Sequence, residues 1–88
     1  MTIVIKRNGR REKFKREKIS KGIERASKRA EIASKKAKEI ATRVAKRVED
    51  YFKSRDEVDS SDIRDRVMSE LDREERRIAS EFRSHKKE

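Results

Sequence analysis

Cysteine and proline are absent from this chain of 88 residues, histidine occurs once and glycine twice. Without cysteine there are no disulfides, thiolate metal sites, zinc ribbons or cysteine nucleophiles. A lone His85 excludes paired-histidine metal sites. No apolar run approaches the ~20 residues of a membrane span, and the N-terminus lacks the apolar stretch of a signal peptide. The chain is therefore expected to be soluble and cytoplasmic, with no membrane partner. Apolar residues make up 31% of it and only four are aromatic: Phe14, Tyr51, Phe52 and Phe82. Such a chain holds one domain, spanning 1–88, around a thin aliphatic core, which argues against a large buried catalytic pocket.

Charge is abundant instead. Charged residues make up 52% of the sequence, with 28 basic and 18 acidic side chains and a net charge of +10. The excess is uneven: residues 1–44 carry 16 Lys/Arg and 5 Asp/Glu, a net of +11, whereas residues 45–88 carry 12 and 13, a net of −1. Such a field attracts nucleotides, nucleic acid or anionic membranes. The plainer reading is solubility with high helicity, because Lys, Arg and Glu are good helix formers.

Periodicity gives the architecture. Ile3-Val4-Ile5 runs into Asn8-Gly9 and then Arg11 to Phe14; Asn-Gly favours a type I′ turn, so 2–14 is read as a β-hairpin with strands at 2–7 and 10–14. From Arg16 onward the apolar residues recur at helical spacing. The stripes are Ile19, Ile23, Ala26 and Ala30; then Ala37, Ile40, Ala41, Val44, Ala45, Val48, Tyr51 and Phe52; then Ile63, Val67 and Leu71; then Ile78, Ala79 and Phe82. They predict helices at about 16–31, 34–53, 60–72 and 74–86, with a single helix over 16–53 as the alternative for the first two. Ser34 and Ser60 are the expected N-caps. Val58, isolated between polar residues, suits a short third strand. The fold class is α+β and mainly helical: a four-helix bundle capped by a small sheet. A hairpin is marginal alone, and so thin a core implies low stability unless a ligand or a second copy adds to it.

The ordered segments Val4-Ile5-Lys6-Arg7-Asn8-Gly9-Arg10-Arg11-Glu12-Lys13-Phe14, Lys18-Ile19 with Ile23, Val58-Asp59-Ser60-Ser61-Asp62-Ile63 with Val67 and Leu71, and Ile78-Ala79 with Phe82 and His85-Lys86 resemble the ATP-cone. This small nucleotide-binding regulatory domain occurs in many ribonucleotide reductases and in the bacterial repressor of ribonucleotide reductase genes. The resemblance covers nearly the whole chain and implies ATP or dATP as ligand, with or without Mg²⁺. By resemblance Val4, Ile19 and Ile63 wall the adenine, Glu12 accepts from its amino group, Ser60 and Arg64 lie near the ribose and phosphates, and Lys86 adds a basic contact. Lys6, Arg7 and Lys18 can converge on the triphosphate, where charged donors bind most strongly and the first helix's N-terminus adds free N–H groups. Asn8 stands for a frequent Asp and suits the turn equally. Lys15 stands where the family commonly has Asp or Asn, at a position that caps the first helix and approaches the base.

Each of these residues also has a structural reading. Val4, Ile19 and Ile63 are candidate core residues, Lys6 and Arg7 edge-strand charges, Glu12 a cross-strand ion-pair partner, and Ser60 a helix cap. No Gly-x-x-x-x-Gly-Lys-Ser/Thr loop is present, and no catalysis is expected. The expected function is a nucleotide sensor controlling a partner protein, DNA or its own oligomeric state. The alternatives are a basic nucleic-acid-binding protein or transcriptional regulator, and a purely helical interaction module.

Overall fold

The computed structural model describes residues 1–85; Lys86, with the contact expected of it, lies outside them. Three short strands, β1 (Ile3–Ile5), β2 (Arg11–Lys13) and β3 (Glu57–Asp59), accompany four helices, α1 (Arg16–Arg29), α2 (Ser34–Phe52), α3 (Ser60–Glu74) and α4 (Arg76–Ser84). The sheet order is β2-β1-β3, antiparallel between β1 and β2 and parallel between β1 and β3. Val58 thus forms the expected third strand. The first two strands are shorter than predicted because the backbone leaves the ladder at the turn.

That turn also differs from expectation. Gly9 N–H donates to Lys6 O at 2.9 Å and Lys6 N–H to Arg10 O at 2.8 Å. Gly9 is left-handed at φ +87° while Asn8 is not, so Arg7 and Asn8 occupy the centre of a type I turn and Gly9 the bulge position after it. Asn8 Oδ1 accepts from Arg10 N–H at 3.0 Å, which locks the tip.

Between α1 and α2 the chain breaks, which settles the long-helix alternative. Ile32 N–H donates to Ser27 O at 2.9 Å and Glu31 N–H to Lys28 O at 3.0 Å, with Glu31 left-handed at φ 60°. This is a Schellman ending whose apolar partner is the buried Ile32. The predicted caps shift by one position: Ala33 and Asp59 precede α2 and α3, neither makes a side-chain cap bond, and Ser34 and Ser60 are the first helical residues. α3 runs two residues beyond its expected end. Glu75, extended at φ −161°, closes α3 and opens α4, accepting from Arg77 N–H at 3.4 Å.

The core joins Ile23 and Ala26 of α1, Ile40, Ala41, Val44, Val48 and Phe52 of α2, Val67 and Leu71 of α3, and Ile78 and Ala79 of α4 to Val4 and Val58 of the sheet. Helix α1 packs on α2 and α4, and α3 on the same two. Buried Thr2 ties the hairpin to the end of α2, its hydroxyl donating to Arg55 O at 2.8 Å. Tyr51, predicted as core, is instead 47% exposed. The α2 stripe drifts at its C-terminal end, so only Phe52 turns inward, and the Arg66 guanidinium lies 4.0 Å from the centre of the Tyr51 ring.

Candidate nucleotide-binding site

Cross-strand neighbours project from the same face of a sheet. The register pairs Glu12 with Val4 and Val4 with Val58, so these three form one row. Val4 and Val58 are buried among helical residues, and the row therefore faces the helices. Glu12, at its β2 end, is half-buried, and its carboxylate receives the Lys18 ammonium from the first turns of α1 at 3.0 Å. That hydrogen bond, with weaker help from Lys6 and Arg10, holds Glu12 below the usual carboxylate range. The structure thus unites Val4, Glu12 and Lys18 in one corner.

Two helices begin beside this row. Only two residues separate α1 from β2, and α3 follows β3 directly. Lys15 occupies the N-cap position of α1 in extended conformation and makes no side-chain cap bond. Since α3 is also uncapped, the first N–H groups of both helices are free of side-chain caps, an arrangement suited to phosphate oxygens. The ladder ends at Ile5 opposite Asp59; Lys6 then enters the turn and Ser60 opens α3.

Ile19 and Ile63 are half-buried against the core at the starts of α1 and α3. Val4 is a core residue as well, so the three apolar candidates serve packing whatever else they touch. The Arg64 guanidinium donates to Phe82 O at 2.9 Å and Arg83 O at 3.0 Å, closing the end of α4, and lies 5.1 Å from the centre of the Phe82 ring. Lys6, Arg7 and Asn8 lie exposed on the turn, and Asn8 is spent on turn geometry. Among the described residues no group of three or more His, Asp or Glu side chains could hold a metal ion.

Phe82, which the candidate set omits, belongs to this neighbourhood. Its ring edge lies where a Cβ on Gly22 would meet it at 3.6 Å, and Arg64 lies over it, so it links α1, α3 and α4. The signal in the sequence was the glycine inside α1, opposite an aromatic of α4.

A basic hairpin folded onto four helices, with an acid–lysine pair joining the second strand to the first helix, defines a class: small α+β domains in which a three-stranded sheet packs on a helical core. The family model described as the ATP cone domain matches residues 2–87, and the chain belongs to that family. Curated relatives include transcriptional repressors NrdR from Streptococcus sanguinis (strain SK36), 35% identical, and from Clostridium kluyveri, 34% identical. Each comparison covers 96% of this chain but only 55% and 57% of the relative, so the chain spans little more than half of their length. Among the described residues no helix is long and apolar enough to cross a membrane.

Proposed function

We propose that this chain is a regulatory domain that binds ATP or dATP, with or without Mg²⁺, and catalyses nothing itself. The observation that carries the reading is the Glu12–Lys18 pair at the end of the Val4 row, beside two uncapped helix starts. In this reading Lys18 and Lys6 take the phosphates, Arg7 and Ser60 border them, Ile19 and Ile63 flank the adenine, and Glu12 accepts from its amino group. A triphosphate competes with Glu12 for Lys18 and frees that carboxylate for the base. Arg64 contributes by fixing the end of α4 against the start of α3, and the sheet acts as the cap of a four-helix bundle. Lys15 supplies a charge where a neutral or acidic cap would stand. The regulated object is a partner protein, DNA or the oligomeric state. Control of transcription as part of a longer protein is the second reading, favoured by the repressor relatives.

Thermal unfolding with ATP, dATP, GTP and pyrophosphate tests the proposal on the wild type and on Lys6→Ala and Lys18→Ala. Occupancy at about 100 times Kd adds about 2.7 kcal/mol. That corresponds to a rise in Tm of more than about 10 °C for a domain of this size. Adenine nucleotides should stabilise the wild type and not the two variants. Equal stabilisation by GTP and pyrophosphate would remove the base pocket, and no stabilisation would remove the nucleotide.

A further inference from the structure

A groove of about 430 Å³ runs between α1 and the start of α2, and no residue of the hairpin lines it. Lys21, Arg25 and Lys28 line it from α1 and Lys38 from α2, with buried Ile32 and Ala37 also in its wall. The four cations are exposed, and among the described residues none of them makes an ion pair. Their neighbours facing α4 and α3 are paired: Arg29 with Glu81 at 3.4 Å, Lys36 with Glu75 at 3.5 Å and Arg43 with Glu74 at 2.9 Å. One carboxylate, Glu24, shares the groove. A second open depression along α2, lined by Lys38, Glu39, Thr42 and Arg43, continues from the same lysine.

From these observations we infer that the α1–α2 groove is a docking surface for the phosphodiester backbone of duplex nucleic acid, separate from the nucleotide site and independent of it. Lys21, Arg25 and Lys28 recur at i, i+4 and i+7, on one face of α1 and over about 10 Å of its axis. They are spread out as successive phosphates are, where a single triphosphate would need donors that converge. The occupant is a duplex because the groove holds no aromatic side chain, and single strands are held by stacking bases on aromatic rings. Membrane docking needs apolar anchors. Among the described residues the exposed large apolar ones are Met1 and Tyr51, and neither lines the groove. Contacts of this kind position a duplex without reading its bases.

Fluorescence anisotropy of a labelled random-sequence duplex, across a salt series, tests the inference. The full chain is compared with Lys21→Gln/Arg25→Gln/Lys28→Gln and with Arg10→Gln/Lys13→Gln/Arg76→Gln, a triple variant of equal charge change outside the groove. The groove variant should bind roughly tenfold more weakly, and its slope of log affinity against log salt should fall by about 2–3, close to one for each phosphate no longer neutralised. The control variant should keep both affinity and slope. Equal losses of affinity in the two variants, or unchanged binding by the groove variant, would overturn the inference. So would a preference for single strands or for vesicles of anionic lipid over the duplex. Because these are exposed helical positions, Gln keeps the helix. Acetylation footprinting of the unaltered chain gives a second reading: duplex should protect Lys21, Lys28 and Lys38 but not Lys13, and no protection would refute the groove.

Discussion

Lys15 already has the extended backbone of an N-cap, φ −131° and ψ 113°, but its ammonium offers no acceptor to the first N–H groups of α1. Lys15→Asp supplies an acceptor and an anion at the positive end of the helix, together about 1 kcal/mol. Tm should rise by about 4–8 °C in thermal unfolding monitored by circular dichroism; an unchanged Tm would mean that helix start is satisfied by other groups. This weak start was readable from the sequence through the resemblance to the ATP-cone, which places Lys15 at the cap of the first helix. The turn was half readable. Asn-Gly announced a reversal, but the dipeptide alone cannot distinguish a two-residue loop from a three-residue one with Gly9 in the bulge. Among site residues, Glu12 was legible as an ion-pair partner, but across the strands, whereas its partner is Lys18 of α1. The contacts of Arg64 were not legible, since its carbonyl partners at Phe82 and Arg83 depend on how α4 returns.

At the scale of elements, the two longest helices are held by a charged strip as well as by their apolar faces. Arg43 donates to both Glu74 oxygens at 2.9 Å, and Arg47 bridges Glu74 at 2.7 Å and the buried Glu70 at 3.4 Å. Hydrogen bonding by Arg43, and then by Arg47, pulls the Glu74 carboxyl from 4.5 to about 2. A carboxylate lowered in this way favours the folded state wherever the unfolded chain would also be ionised. Its contribution is complete above pH 4.5 and is lost as the pH falls towards about 2. Glu12, Asp50 and Glu75 are lowered as well and act in the same direction. Tm should therefore fall through that acid window. In Glu74→Gln the fall should be shallower, and Tm at neutral pH lower by about 4–8 °C, taking about 1 kcal/mol after screening of the half-exposed arginines. An acid profile unaltered by the substitution would place the titration in other carboxylates. No periodicity argument reaches this strip, because Arg43 and Glu74 stand 31 residues apart and are surrounded by charges of both signs. The same limit governs the α1–α2 break: helices commonly stop at glycine, whereas here Glu31 takes the left-handed position and the burial of Ile32 enforces it. What the pattern did show, four apolar stripes and one isolated valine, gave the element order, since each stripe has a single face to bury.

Across the whole molecule, charge is sorted rather than scattered. Several carboxylates of the second half are drawn into pairs with arginines of α2, α3 and α4, as in Arg47–Glu74, Arg66–Glu70 and Arg83–Asp72. The cations of α1 in the groove, by contrast, stand without ion pairs among the described residues. Like charges at i, i+3 and i, i+4 on one helix face repel by a few tenths of a kcal/mol per pair, and a net charge of +10 adds to that repulsion. Glu24 and the position of Lys28 in the last turn of α1 offset part of this repulsion; a surface kept for an anion rather than for folding leaves the remainder uncompensated. If so, Lys21→Gln/Arg25→Gln/Lys28→Gln should be more stable than the wild type at low salt, by about 0.5–1 kcal/mol or about 2–6 °C in Tm. The advantage should shrink between about 10 mM and 0.1 M salt, as the screening length contracts from about 30 Å to about 10 Å. Differential scanning fluorimetry across that range measures it. A variant less stable than the wild type at every salt concentration would show that these side chains support the helix through their aliphatic stems, and would remove the stability argument for a surface kept for an anion.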